Sequence, residues 1–204
     1  MPSFVYIVDD DASFRNAMER RLKYAGYEVA AYASAEHLLD RLPDDSVLGC
    51  ILLDVRIPGL SGLELQGRLS ELGSTMPIIF LPGQPDIPVT VQAIKAGAED
   101  FLIKPITSDV LLAAIERAIT RHDVSKKVQS ELKLLRALVA TLTPRERQVY
   151  DLVVRGKMNK RIALELGTKE RTIKAHRQRV MEKLDARSLP ALVLIAERLG
   201  HSSE

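Results

Sequence analysis

The chain of 204 residues has a single cysteine, Cys50, no tryptophan, and only 4% aromatic residues. A lone cysteine excludes an internal disulfide and any zinc site built from several thiolates, which makes the cytoplasm the expected location. No apolar run approaches the roughly 18–20 residues of a membrane span, and the first residues lack the basic-then-apolar pattern of a secretion signal, so no membrane partner is expected. Internal repeats and low-complexity tracts are missing too. What remains is 46% apolar and 27% charged, the balance of an ordinary globular protein. A net charge of +2 conceals a division: up to Asp123 there are 11 Lys/Arg against 18 Asp/Glu, and from Val124 onward 18 against 9. An acidic half joined to a basic half predicts two modules with different partners, the basic one a candidate for nucleic acid.

The first half alternates strand-like and helix-like patterns. Strand patterns fall at 4–9, 28–32, 48–54, 78–81 and 100–104. Helical patterns fall at 12–25 and 34–42, then in stretches ending at Leu72 and Ala96, and at 107–120. Ser34 suits an N-cap, and Gly26, Gly73 and Gly97 stand just past helix ends. The central strands are nearly continuous apolar runs, as strands buried on both faces should be. Five such pairs predict a doubly wound parallel α/β domain over residues 1–122, whose functional residues gather at the carboxyl ends of the strands.

Residues 123–141 read as a helical linker. Over residues 121–142, Val128, Leu132, Leu135, Val139 and Leu142 recur at spacings of four and three. Two readings stay open: an amphipathic helix packed on a neighbouring domain, and a short coiled-coil seam between subunits, for which two heptads fall short of the usual three to four. From residue 142 to 204 the pattern is helical only. Thr143-Pro144-Arg145-Glu146 unites an N-cap, a first-turn proline and a capping-box glutamate, opening a helix that ends near Arg155. A second covers 159–166, a third is capped by Thr168 and runs to Leu184, and a fourth runs from Ser188 to near Leu199. Residues 200–204 are expected to fray.

Three carboxylates stand at strand ends: Asp9 and Asp10 after the first strand, Asp54 after the third. Neighbouring parallel strands present their ends together, so these groups should converge. Oxygen-rich clusters of this kind suit Mg²⁺. Lys104, after the fifth strand and before Pro105, brings a cation to the same rim. Carboxylates, a divalent metal and a lysine make a site for a phosphoryl group, with Asp54 as nucleophile. Taken alone, Asp9–Asp11 could simply favour a helix start; the combination across three strands is what points to chemistry.

The segments VDDD at 8–11, LLDVRIPGLSG at 52–62 and KP at 104–105 resemble the receiver domain of bacterial two-component response regulators. The resemblance covers roughly residues 3–122 and implies a flavodoxin-like five-stranded domain. It implies that Asp54 accepts a phosphoryl group from a sensor histidine kinase. Asp10 would ligate Mg²⁺ directly, Asp9 indirectly and Arg56 through its backbone carbonyl; Lys104 and the Gly83 backbone would contact the phosphoryl group. Pro58, Gly59 and Gly62 would shape the loop after Asp54, and Phe101 would be the switching aromatic. One position departs. Receivers carry Ser or Thr after the fourth strand, and here Pro82 stands there, without hydroxyl or backbone N–H. Phosphorylation should survive this, because nucleophile, metal and lysine remain. The link from Asp54 to the face formed by the fourth helix, the fifth strand and the fifth helix should loosen, unless Gly83 and Lys104 suffice. Pro82, Pro85 and Pro88 together should stiffen the loop.

Residues 159–184 read NKRIALELGTKERTIKAHRQRVMEKL. A helix with small Ala163, a turn at Gly167, and a second helix with inward Ile173 fit a helix-turn-helix. The second helix carries Lys169, Arg171, Lys174, Arg177, Arg179 and Lys183, cations able to hold phosphates at a major groove. With LTPRERQV and TIKAHRQRVMEKL, the stretch 142–199 resembles the LuxR-type DNA-binding domain. That likeness places Lys174, Ala175 and Gln178 at base edges, and Arg171, Arg177 and Arg179 at phosphates with Lys169 beside them. His176 is expected to be packed or hydrogen-bonded rather than a metal ligand. Leu189, Leu192, Val193 and Ala196 would form the apolar face of the last helix, serving a dimer on DNA, core packing, or both.

The two modules together resemble the FixJ/NarL class of response regulators. The resemblance implies a transcription regulator that is not an enzyme beyond its own phosphoryl transfer. It would be switched by Mg²⁺-dependent phosphorylation of Asp54 and bind a two-half-site operator in double-stranded DNA as a homodimer. An alternative keeps DNA binding but makes the first domain a pseudo-receiver, weakly coupled or uncoupled because of Pro82. A third reading, an independent phosphohydrolase using Asp9, Asp10 and Asp54, lacks a general acid and leaves the basic half unexplained.

Overall fold

Alternating side chains along five short strands serve two separate layers of helices, and this organises the first of two units into which the chain divides, Met1–Lys126 and Lys127–Glu204. The computed structural model describes residues 3–42 and 47–200. The strands are β1 (Phe4–Val8), β2 (Glu28–Tyr32), β3 (Gly49–Leu53), β4 (Ile78–Phe80) and β5 (Asp100–Phe101), all parallel in the order β2-β1-β3-β4-β5. Helices α1 (Ala12–Tyr24), α2 (Ala35–Leu39), α3 (Gly62–Glu71), α4 (Ile87–Lys95) and α5 (Ser108–Ala140) connect and follow them. On one face Val5, Ile7, Cys50, Leu52 and Ile79 pack against Met18 and Leu22 of α1 and Leu111, Ile115 and Ala118 of α5. On the other, Tyr6, Val8, Ile51, Leu53 and Phe80 pack against Leu38 of α2, Leu65 and Leu69 of α3, and Ala93 of α4. Burying each such aliphatic side chain contributes about 1.5–3 kcal/mol. The strand order reverses beside β1, which opens a crevice at the carboxyl ends of β1 and β3.

Local chemistry sets the helix starts. Asp11 caps α1 by accepting from the Ser13 and Phe14 amides, Ser61 and Glu64 form a reciprocal capping box on α3, and Ser34 and Asp86 cap α2 and α4. The fifth helix does not stop near Thr120, where the apolar pattern changes, but runs on to Ala140. Neither Gly nor Pro stands between Ser108 and Ala140, so nothing in the backbone ends it.

The second unit holds the end of α5 and four further helices: α6 (Pro144–Val154), α7 (Asn159–Glu165), α8 (Glu170–Lys183) and α9 (Leu189–Arg198). Val149, Tyr150 and Val153 of α6, Ile162 and Ala163 of α7, Ile173 and Val180 of α8, and Leu192 and Ala196 of α9 build its core. Of the stripe between the modules, Val139 is buried in this core, Leu142 packs against it and Val128 is exposed. Thr143 and Glu146 form the expected capping box on α6. Thr168 does not cap α8: that position falls to Lys169, whose side chain makes no capping hydrogen bond. Among the described residues no helix is long and apolar enough to cross a membrane.

Candidate functional site

At the crevice, hydrogen bonds beyond the strand ends carry the backbone one residue further and aim the carboxylates. The Asp9 amide donates to Tyr32 O at 3.2 Å, the Asp54 amide to Val8 O at 2.9 Å, and the Lys104 amide to Pro82 O at 2.9 Å. Lys104 Nζ then lies 2.5 Å from Asp9 Oδ2 and 2.6 Å from Asp54 Oδ2. Asp9 Oδ1 accepts from the Asp11 amide, and Asp54 Oδ1 from the Arg56 amide at 3.0 Å. One carboxylate oxygen from each of Asp9, Asp10 and Asp54 lies within 4.8 Å of the others. Asp9, Asp54 and Lys104 thus meet as the strand ends require, with exposed Asp10 at the rim.

Burial raises the pKa of the Asp9 carboxyl, outweighing the hydrogen bonds from Lys104 and the Asp11 amide, and the Asp54 charge adds to the rise. Burial alone would lower that of the Lys104 ammonium; its hydrogen bonds to Asp54 and Asp9, and their charges, instead hold it above the ordinary lysine value. Lys104 is therefore a fixed positive charge. Three oxygen donors so close together are the set that a hard divalent cation takes, and the residues present fit Mg²⁺.

The loop after Asp54 leaves no room for larger residues. A Cβ on Gly62 would lie 2.4 Å from Asp54 O and 3.1 Å from the Phe80 ring, so only glycine lets α3 begin here. Glu36 steadies the same loop by accepting from the Leu60 amide at 3.2 Å. Pro82 is buried just beyond β4, and Gly83 is exposed beside it. Phe101 is half-buried, its ring centroid 6.0 Å from that of Phe80, next to a cavity of about 100 Å³ lined by Val55, Arg56, Pro82 and Gln84.

Several partners escape the sequence pattern. Arg15 Nη1 donates to Asp9 O at 2.5 Å, Lys104 Nζ sits 4.0 Å from the centroid of the Phe14 ring, and Arg56 Nη2 donates to Gln84 Oε1 at 3.2 Å. An arginine four residues into α1 carries no signal of its own; only the helix placed on the sheet reveals its reach.

In the second unit, Ala163 and Ile173 are buried where α7 and α8 cross, and Gly167 between them has φ +60°. The outer side of α8 exposes Arg171, Lys174, Ala175, Gln178 and Arg179, with Lys169 just before it. Arg177 is different: half-buried, it donates to Asn159 Oδ1 at 3.1 Å and ties α8 to α7. His176 is packed, and its buried Nδ1 has no hydrogen-bond partner among the described residues. Lys183 does not face outward as a free cation; its Nζ donates to Glu146 Oε2 at 2.6 Å and to Thr141 O at 3.0 Å. On α9 the expected face needs correcting. Leu192 and Ala196 are buried in the unit's own core and cannot form a surface, whereas Leu189 and Leu194 are exposed and Val193 half-buried.

Comparison with known proteins agrees with this division. Residues 5–116 match the response regulator receiver domain, and residues 140–196 match the luxR family of bacterial regulatory proteins. Nodulation protein W of Bradyrhizobium diazoefficiens is 44% identical over 98% of this chain and 88% of its own length. The transcriptional regulatory protein FixJ of the same organism is 42% identical over 96% of this chain and 95% of its own. Among solved structures, the response regulator StyR superposes with a TM-score of 0.84 at 41% identity, over 97% of this chain and all of that one. Full-length FixJ from B. japonicum superposes with a TM-score of 0.60 at 41% identity, over 98% of each chain. The chain belongs to the response regulators that join a receiver domain to a LuxR-type DNA-binding domain.

Proposed function

We propose that this regulator is switched by Mg²⁺-dependent phosphorylation of Asp54 by a sensor histidine kinase, and that the modified form binds a two-half-site operator as a homodimer. The observation that carries the reading is the contact of Lys104 with both Asp9 and Asp54 in a cluster completed by Asp10. An Asp54 carboxylate oxygen attacks phosphorus in line with the donor histidine, the P–N bond breaks, and imidazole leaves. Lys104 steadies the negative charge that gathers on the transferring oxygens, and the Arg56 amide holds Asp54 in register. Asp10, Asp54 and the Arg56 carbonyl would hold Mg²⁺, with Asp9 behind them, and the ion supplies charge neutralisation at the phosphoryl oxygens. Gly83 offers a backbone N–H toward the same group.

Dimerisation through α4, β5 and α5 is supported by exposed apolar side chains there: Ile87, Val91 and Ile94 on α4, Ile103 after β5, and Val110 on α5. Lys174, Ala175 and Gln178 face base edges, while Lys169, Arg171 and Arg179 hold phosphates; Arg177 reaches a phosphate only if it leaves Asn159. Leu189, with Val193 and Leu194 beside it, extends the dimer at α9. The domains are taken as residues 1–122, 123–141 and 142–204, and the chain works in the cytoplasm.

Treatment with acetyl phosphate and Mg²⁺ is expected to add one phosphoryl group to the wild type and none to Asp54→Ala, and to raise dimer content and operator affinity only in the wild type. Mass spectrometry, light scattering and a DNA titration check this. Phosphorylation without any gain in dimerisation or affinity selects the second reading, an uncoupled receiver, which the buried Pro82 favours.

A further inference from the structure

Gln178 and Glu182 stand one turn apart on the outer side of α8, both exposed, and Gln178 Nε2 donates to Glu182 Oε1 at 2.9 Å. A carboxamide has two N–H donors and one carbonyl acceptor, whereas an ionised carboxylate only accepts. Glu182 therefore admits only the nitrogen end of the amide on its side. It engages one N–H and leaves the second N–H and the carbonyl for a partner. That donor and acceptor match the N7 and N6 groups of adenine, the base edge that a glutamine reads with two hydrogen bonds. A glutamine without this tether can rotate its amide and offer an N–H to guanine or its carbonyl to cytosine. Tethered, it offers one order of donor and acceptor along the helix. The arrangement has a cost. A carboxylate on the side of α8 that meets DNA repels phosphates of every sequence alike.

We propose that Glu182 is a positioning residue that sets Gln178 to read adenine, giving discrimination at the expense of general affinity. The proposal rests on the reading of α8 as the helix that meets base edges. Neither side chain contributes to the core of the unit, so substitutions here leave the fold intact, and thermal melting of each variant verifies that.

The test uses the full-length protein, untreated and treated with acetyl phosphate and Mg²⁺, and a pool of randomised DNA duplexes. The wild type is expected to select an adenine in each half-site, and Gln178→Ala to lose it. Glu182→Ala is expected to weaken that preference by roughly five- to hundredfold, the worth of a two-bond contact, while binding unselected duplexes more tightly than the wild type. Glu182→Gln removes the charge and, able to donate as well as accept, admits either end of the Gln178 amide, so it should retain the tighter general binding without restoring the full preference. If Gln178→Ala selects the wild-type sequence, or the wild type selects no adenine that depends on Gln178, the base-contact reading fails and this proposal with it. If Gln178→Ala loses the adenine and Glu182→Ala keeps it, the base contact stands and the positioning role of Glu182 is overturned.

Discussion

Pro82 occupies the position after β4 through which Asp54 is proposed to act on the rest of its unit. It is buried beyond β4, it has no hydroxyl, and its carbonyl already accepts the Lys104 amide. A hydrogen bond to a charged acceptor contributes roughly 1.5–3 kcal/mol. Pro82→Thr supplies one, and the ratio of operator affinities with and without phosphorylation is expected to rise about tenfold or more. Titration of one DNA duplex with treated and untreated protein checks this; an unchanged ratio means that Gly83 and Lys104 carry the signal alone. Lys104 answers a second question. Lys104→Met leaves Asp9, whose side chain is 2% exposed, ionised beside Asp54 without its cation. Losing one partner of a buried pair costs about 3–5 kcal/mol, less here because Lys104 is partly exposed. Its destabilisation lies in the ionised Asp9, whose pKa is already raised, so it is expected to shrink as pH falls and Asp9 takes a proton. Urea unfolding in EDTA at neutral and mildly acidic pH measures it, and a double variant with Asp9→Asn should recover most of the loss. The convergence of Asp9, Asp54 and Lys104 is legible in sequence because parallel strands align their ends. Arg15, Phe14 and Gln84 are not, since their contacts depend on how long side chains run across neighbouring elements.

Elements obey rules that the sequence states with uneven clarity. The five strands and the starts of α1, α2, α6 and α9 are legible, because period, caps and prolines agree. The length of α5 is not. The face it buries against the sheet ends near His122, so the apolar pattern changes while the backbone has no cause to stop. The start of α8 is misjudged for a different reason: Thr168 has the chemistry of a cap, but the turn after Gly167 puts Lys169 in that place. One tie between elements of the second unit is equally silent in sequence. Glu146, buried at the start of α6, accepts from Lys183 at the end of α8, and from the Thr143 amide at 2.9 Å. The hydrogen bond from Lys183, then that from Thr143, holds the Glu146 carboxyl at about 2, well below the ordinary value of 4.5. A depressed pKa contributes stability above the unfolded value, lost as pH falls from about 4.5 towards 2. The wild type is therefore expected to exceed Glu146→Gln in melting temperature by a constant margin near neutrality, with the margin closing through that acid window. A margin that stays constant into acid would mean that the carboxylate is not what Lys183 holds.

On the scale of the whole molecule, charge is divided as the functions are. The acidic surplus up to Asp123 suits a unit whose chemistry is a cation among carboxylates, and the basic surplus after Val124 suits one that meets a polyanion. Each unit has its own buried core, so the two properties could be assembled without compromise in packing. Affinity for DNA should then depend on salt through the second unit, with log K falling by about 0.9 per tenfold rise in salt for each phosphate neutralised. Arg171 and Arg179 are exposed on α8, and replacement of either one by alanine is expected to flatten the slope by about 0.9 per protomer while leaving base preference unchanged. Arg177→Ala should behave otherwise, because Arg177 is tied to Asn159: it lowers the melting temperature of the unit before it alters the slope. A dimer on two half-sites doubles every such contact. The slope measured by fluorescence anisotropy should therefore be about twice as steep on a two-half-site duplex as on a single half-site, and each arginine should count about 1.8 there. Equal slopes on the two duplexes would mean that one protomer does the binding, and the homodimer would have to be abandoned even if Asp54 is phosphorylated as proposed.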